Sequence, residues 1–267
     1  MSTLPVTTLP NPFVTSLTVG IGGLISKAFV KLACSTEVVG SEHLINAWKE
    51  ENRVRRGILT VSNHISVLDD PLMWGVLPMS SFFNSRQSRW TLGARDIMFT
   101  RPSHATFFRN GKVIDTIRGV GVYQEALDVA IERLNAGEWV HIFPQGFVRQ
   151  ETLGPPVGRL KWGVGRLLAE CQNTPTVIPV WINGFENVMP AERGFPRFLP
   201  RLANLHIAFD DPSRLTSSLE EQRRLWRDSA SDRKPTLEEW RGYHAELTST
   251  IEQGMNYLGN KISLRSE

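Results

Sequence analysis

The sequence predicts an α/β fold, with helices flanking a central sheet. Two observations carry this. β-type runs at Ile58–Ser62, Trp139–Phe143, Thr176–Ile182 and Leu205–Phe209 alternate with helical patterns at Val122–Asn135 and Leu160–Gln172. The runs Ile58-Leu-Thr-Val-Ser and Val177-Ile-Pro-Val-Trp-Ile are almost continuously apolar, as strands covered on both faces are, which places them at the sheet centre. A third observation bounds the architecture: 267 residues fit one core, since single cores remain workable up to roughly 250 to 300 residues.

The first element is a helix over Phe13–Ala33. Phe13, Leu17, Ile21, Leu24, Ile25, Ala28, Phe29 and Leu32 recur at helical spacing, with Thr18, Gly22, Ser26 and Lys31 largely opposite. Lys27, Lys31 and the glycines interrupt the run, which suits an amphipathic helix lying in a membrane interface better than a span of about 20 apolar residues. The same periodicity also fits a helix packed on the core. The first basic residue is Lys27, so no cleavable targeting segment is expected. At the other end, Ser218-Leu-Glu-Glu221 and Thr236-Leu-Glu-Glu239 have capping-box spacing and predict two helices. The stripe Trp240, Tyr243, Leu247, Ile251, Met255 and Leu258 gives the last helix an apolar face for docking. The expected organisation is a membrane-associating segment over 1–35, a core over 36–215 and docked C-terminal helices over 216–267. The net charge of +3 and a pI near 9 allow a basic face for phosphate-bearing partners without choosing among them. Cys34 and Cys171 form no Cys-x-x-Cys pair and are expected to be buried thiols.

Chemistry concentrates in Ser62-Asn-His-Ile-Ser-Val-Leu-Asp-Asp-Pro71, directly after a buried-looking strand, and strand ends are where sites collect. A neutral imidazole at His64 can take a hydroxyl proton, and a carboxylate at Asp69 can fix its tautomer and stabilise the cation that forms. Five residues apart, the two do not share a helix face, so the pairing requires a turn that folds Asp69 back onto His64. Ser62 and Ser66 lack a Gly-x-Ser-x-Gly elbow, which disfavours a serine-hydrolase reading. His141 alternates with strand residues and reads as structural.

The wider string resembles the glycerolipid acyltransferases. Asn63-His64-x4-Asp69 resembles their first signature, Gly111-Lys-Val-Ile-Asp-Thr-Ile-Arg118 the second, Phe143-Pro-Gln-Gly146 the third and Val177-Ile-Pro-Val180 the fourth. Asp70-Pro71, Trp90-Thr91, Gly121-Val-Tyr-Gln124, Gly137-Glu-Trp-Val-His-Ile-Phe-Pro144 and Arg159-Leu-Lys-Trp-Gly-Val-Gly-Arg166 draw the likeness toward its phospholipid–lysophospholipid transacylases. The resemblance implies a single glycerolipid-acyltransferase-like domain with a mixed central sheet. It implies acyl transfer between a phospholipid and a lysophospholipid, typically monolysocardiolipin, with no metal or cofactor and no nucleic-acid partner. It also implies monotopic attachment to mitochondrial membranes facing the intermembrane space. His64 is then the general base, oriented by Asp69. Arg118 holds a lipid phosphate, and Asn63 and the amides around Gly146 are oxyanion donors.

At position 145 the resembling family has Glu where this chain has Gln145. Gln keeps the shape and can hydrogen-bond a substrate, but brings no charge, so slower transfer and an unimpaired enzyme both remain open. Two other readings stand beside this one: an acyl-CoA-dependent lysophospholipid acyltransferase, and a membrane-binding protein without activity.

Overall fold

The computed structural model describes residues 11–84, 86–150, 154–192, 199–231 and 233–264. In chain order these build α1 (Pro12–Ala33), β1 (Ser35–Val39), α2 (Ser41–Ala47), β2 (Ile58–Ser62), α3 (Asp69–Met73), α4 (Met79–Phe82), β3 (Trp90–Ala94), α5 (Arg95–Met98), α6 (Pro102–Asn110) and β4 (Val113–Thr116). There follow α7 (Glu125–Asn135), β5 (Trp139–Ile142), α8 (Gly163–Glu170), β6 (Thr176–Asn183), α9 (Phe185–Val188), β7 (Asn204–Phe209), α10 (Pro212–Ser229) and α11 (Leu237–Ser263).

The seven strands form one mixed sheet in the order β1-β7-β6-β2-β5-β3-β4. Strands β6, β2, β5, β3 and β4 are parallel, while β7 runs antiparallel to β6 and β1 parallel to β7. The chain moves outward from β2 to β3 and β4, returns to insert β5 beside β2, then crosses to β6 on the other flank of β2. The C-terminal end of β2 therefore faces such a change of direction, where open α/β sheets place their ligands. The central position expected for β2 and β6 is found, and every residue of β2 is buried. Its pleat divides the core: Leu59 and Val61 pack with α7, α8, α10 and α11, whereas Ile58 packs with residues of α1, α2 and α3 on the opposite face.

Three strands, β1, β3 and β4, are additions to those expected. At the C-terminus, Thr236 forms the expected capping box with Glu239. Ser218 does not: it lies inside α10, whose cap is Asp211, accepting from the Ser213 amide at 2.8 Å. The spacing at 218 is a mid-helix coincidence, because Pro212 already supplies a favourable first-turn residue. Tyr243, Leu247, Ile251, Met255 and Leu258 of α11 are buried, so this helix docks on the domain. Cys171 is buried but Cys34, at the end of α1, is only half-buried, which corrects the expectation for that thiol.

Helix α1 lies against α3, α4, α6 and the turn at Trp74–Val76. The face that docks is its small and polar one. Ser26 donates to the Pro71 carbonyl at 2.6 Å, and Lys27 donates to the carbonyls of Gly75 at 3.2 Å and Leu77 at 2.8 Å. The backbone at Gly20 and Gly23 meets the rings of Phe83 and Phe82 so closely that an added Cβ would lie 2.4 and 2.5 Å from them. Phe13, Leu17, Ile21, Leu24, Ile25 and Leu32 point away from the domain and are exposed. The helix is long and apolar enough to cross a membrane. The stretch Phe195-Pro-Arg-Phe-Leu-Pro-Arg201, whose apolar and basic composition would suit a second membrane contact, lies mostly outside the described residues.

Candidate active site

The chain leaves β2 at Ser62, and residues 63–68 form the turn that precedes α3. Asp69 opens that helix and its carboxylate reaches back into the turn. One oxygen, Oδ2, accepts from the amides of Ile65 at 2.7 Å and Ser66 at 2.8 Å, and lies 2.8 Å from His64 Nδ1. Three contacts on one oxygen hold the turn closed and make the five-residue offset workable. Because a carboxylate only accepts, His64 carries its proton on Nδ1 and presents the Nε2 lone pair. Nε2 has no hydrogen bond among the described residues, and the ring is 19% exposed whereas Asp69 is fully buried. Burial pushes the Asp69 carboxyl up from its ordinary range, opposed by the His64 hydrogen bond and charge and by the Ser66 and Ile65 amides. The ring stacks on Phe143, with centroids 4.1 Å apart and planes at 18°.

The loop after β5 supports this turn from above. Gln145 Oε1 accepts from the His64 amide at 2.7 Å, and the Arg149 amide donates to the His64 carbonyl at 2.7 Å. Gln150 donates to the carbonyls of Ile65 at 2.8 Å and Met189 at 3.0 Å. Gln145, expected to meet substrate, makes its hydrogen bonds to backbone in this structure. The residue is 4% exposed and its other end donates to the Val157 carbonyl at 2.8 Å, so both ends of the amide serve backbone. Asn63 donates to the Ile182 carbonyl at 2.8 Å and accepts from the Ile182 amide at 2.9 Å, tying the turn to β6. The Gly146 amide itself donates to the Phe143 carbonyl at 3.0 Å within its own turn.

Arg118 follows β4, at the same sheet edge as His64 but three strand positions away, roughly 14 Å at about 4.8 Å per strand. Among the described residues no hydrogen bond or ion pair joins it to the His64 cluster. It is exposed and forks onto Asp96, with Nε 3.0 Å from Oδ1. Each holds the other in its charged form, the hydrogen bond raising Arg118 and lowering Asp96.

Sequence reasoning missed the brace behind the turn. Arg89 forks onto Asp70, its Nε 3.0 Å from Oδ1, and Trp74 Nε1 donates to the same oxygen at 3.2 Å. Burial alone would raise the Asp70 carboxyl, but Arg89, with His141 and Trp74, outweighs it and holds the group below the ordinary range. The doubled Asp69-Asp70 was the available signal. His141 is buried, hydrogen-bonded to Thr60 at 2.9 Å, and lowered to about 3 by burial, so it is neutral at physiological pH and structural as expected. Ser62 and Ser66 are buried and hydrogen-bonded to backbone groups.

Residues 36–183 match the Acyltransferase family. A protein named "Taffazin" from Dictyostelium discoideum is 37% identical over 209 residues, covering 76% of this chain and 71% of that protein. The "N-acylphosphatidylethanolamine synthase" of Arabidopsis thaliana is 43% identical over 151 residues, 56% of this chain and 52% of that one, so the chain spans about half its length. The crystal structure of the 1-acyl-sn-glycerophosphate acyltransferase from Thermotoga maritima has the same fold, with a TM-score of 0.50 at 20% identity over 83% of this chain and 81% of that one. The family match takes in more than half of the chain, and the chain belongs to the acyltransferase family. Within that family its place is in the tafazzin branch.

Proposed function

We propose that this chain transfers fatty acyl groups reversibly between phospholipids and lysophospholipids, with monolysocardiolipin as the characteristic acceptor, and so remodels cardiolipin. The observation that carries the reading is the His64 ring, anchored on Nδ1 by Asp69 at 2.8 Å and open on Nε2. Nε2 takes the proton of the acceptor's free glycerol hydroxyl as its oxygen attacks the donor's ester carbonyl, and Asp69 stabilises the imidazolium. Collapse of the tetrahedral adduct breaks the bond to the donor's glycerol oxygen, which recovers the proton from Nε2. Donor and product are both oxygen esters, so the step runs in either direction without an activated thioester. Asn63 and Gln145 position the turn, and Arg118 holds a lipid phosphate. Residues 1–35 attach the protein monotopically, the core over 36–215 carries the site, and the helices over 216–267 stay docked on it. The tafazzin kinship supports a mitochondrial membrane facing the intermembrane space.

The test is transfer of radiolabelled acyl groups from phosphatidylcholine to monolysocardiolipin, with and without acyl-CoA. Transfer without acyl-CoA is expected. Strict dependence on acyl-CoA would return the chain to the acyl-CoA-dependent class, and absence of transfer from either donor would leave a membrane-binding protein. Phosphatidylethanolamine belongs in the assay as an amine acceptor because of the Arabidopsis relative's name; preferential N-acylation would replace the hydroxyl acceptor in the scheme.

A further inference from the structure

Two loops cross each other beside His64, and each crossing places a cation over a glycine. In the loop after β5, Gly146 has φ +74°, and an added Cβ would lie 2.5 Å from Lys161 Nζ and 2.7 Å from its Cδ. In the loop before α8, Gly158 has φ +71°, and an added Cβ would lie 2.7 Å from an Arg149 guanidinium nitrogen. Lys161 therefore lies along Gly146 while Arg149 lies along Gly158, each reaching over the other's loop. Both glycines also supply the left-handed backbone that side chains resist. The loops are locked by the Lys161 amide donating to the Pro144 carbonyl at 2.8 Å and by Gln145 donating to Val157. Arg149 is held further by the Phe147 ring, 4.7 Å from its guanidinium carbon.

This platform is bound to the site, since Gln145 and Arg149 hold the His64 amide and carbonyl. Among the described residues, neither Arg149 nor Lys161 lies within ion-pair distance of a carboxylate, whereas Arg118 is already matched by Asp96. Two cations on neighbouring loops, with no carboxylate at ion-pair distance among the described residues, suit an anion with several oxygens: the guanidinium forks onto two of them and the ammonium supplies a point charge.

We propose that Arg149 and Lys161 form a clamp for the phosphodiester of a glycerophospholipid, separate from Arg118. The proposal rests on the reading above, in which two lipids, each bearing phosphate, must meet at His64: a transacylase needs a second phosphate-holding position, and this one adjoins the base.

The experiment titrates the full chain with dihexanoylphosphatidylcholine below its micelle concentration, with dihexanoylglycerol, which lacks phosphate, and with inorganic phosphate. Arg149→Gln and Lys161→Gln are each expected to weaken phosphatidylcholine binding about tenfold, as loss of a charged hydrogen bond does, and to leave dihexanoylglycerol binding unchanged. Arg149→Lys and Lys161→Arg, which keep the charge, are expected to lose less, and thermal midpoints identify any variant that fails to fold. Equal weakening of both lipids, or no weakening in the double Gln variant, would overturn the clamp. So would inorganic phosphate binding that depends on both cations while phosphatidylcholine binding does not. The His64→Ala protein is expected to keep the phosphate-dependent difference. Acyl transfer absent from every lipid pair with that difference intact would sink the transacylase reading and leave the clamp standing.

Discussion

The side-chain oxygen of Gln145 accepts the backbone amide of His64 at 2.7 Å, while its nitrogen donates to the Val157 carbonyl at 2.8 Å. One buried amide thus fixes the height of the histidine turn relative to the loop that carries Lys161. A carboxylate keeps the first bond but turns an oxygen toward the Val157 carbonyl, acceptor against acceptor. Gln145→Glu is therefore expected to destabilise by about 1–3 kcal/mol, a fall in thermal midpoint of roughly 2 to 10 °C for a domain of this size. The loss should shrink as acid protonates the new side chain into a donor. Initial rates and midpoints across pH decide this; a faster enzyme with an unchanged midpoint would show that position 145 meets substrate after all.

His64 and Asp69 should behave as one unit. His64→Ala is expected to lower transfer about 10²- to 10⁴-fold. Asp69→Asn keeps an oxygen for the Ile65 and Ser66 amides but loses the anion that fixes the ring. Its midpoint should hold, because a buried charge is removed, while its rate falls. The double variant should be little worse than His64→Ala, since groups acting together are not additive. Independent, multiplying losses in single-turnover measurements would separate the two residues.

What the sequence disclosed follows from which forces are local. Strand β2 was legible because burial on both faces leaves an unbroken apolar run. Strand β1 was not, because most of its residues are exposed. Strand β3 includes Gly93 and pairs with β5 only at Trp90 and Thr91, and β4 is four residues long with a buried Asp115 held by Arg95 at 2.8 Å. The His64–Asp69 pair was legible as a motif, but the aim of Asn63 and Gln145 was not. An amide with a donor end and an acceptor end reads equally well as ligand or strut, and only the positions of Ile182 and Val157 decide. The Lys161-Trp162-Gly163 element was noticeable, yet its use depends on a loop folding back over Gly146, for which the residue string has no sign.

The Asp70–Arg89 brace predicts an acid limit. The Asp70 carboxyl is held below its unfolded value of about 3.9, so its contribution is complete above that value and is lost as pH falls through the lower folded value. Arg89→Gln removes the partner and leaves burial to raise the carboxyl. Acid unfolding followed by circular dichroism should then begin at higher pH in the variant, with a lower midpoint at neutral pH as well. Superimposable acid transitions for the two proteins would mean that Asp70 is not the group that matters there.

The exposed face of α1 should bind lipid, and its docked face should not. The usual amphipathic arrangement is inverted here: Thr15, Gly20, Ser26 and Val30 are buried against the domain, while Phe13 and Leu32 are 77% and 83% exposed, with Leu17, Ile21, Leu24 and Ile25 along the same side. A row of large apolar side chains facing outward marks a surface for something other than water. The Ser26 and Lys27 bonds to α3 and the turn after it hold the helix flank-on to the domain, an orientation suited to lying in one leaflet. Ile21→Ser with Ile25→Ser should therefore weaken binding to phospholipid vesicles about tenfold or more, at roughly 25 cal/mol per Å² of apolar surface, with the thermal midpoint unchanged. Gly20→Val should do the reverse: its side chain meets the Phe83 ring, so the midpoint falls while the lipid-facing residues remain. Cosedimentation and calorimetry on the same samples separate the outcomes. If the paired isoleucine variant melts early yet binds vesicles normally, the outward face belongs to the protein core and the membrane is held by another surface.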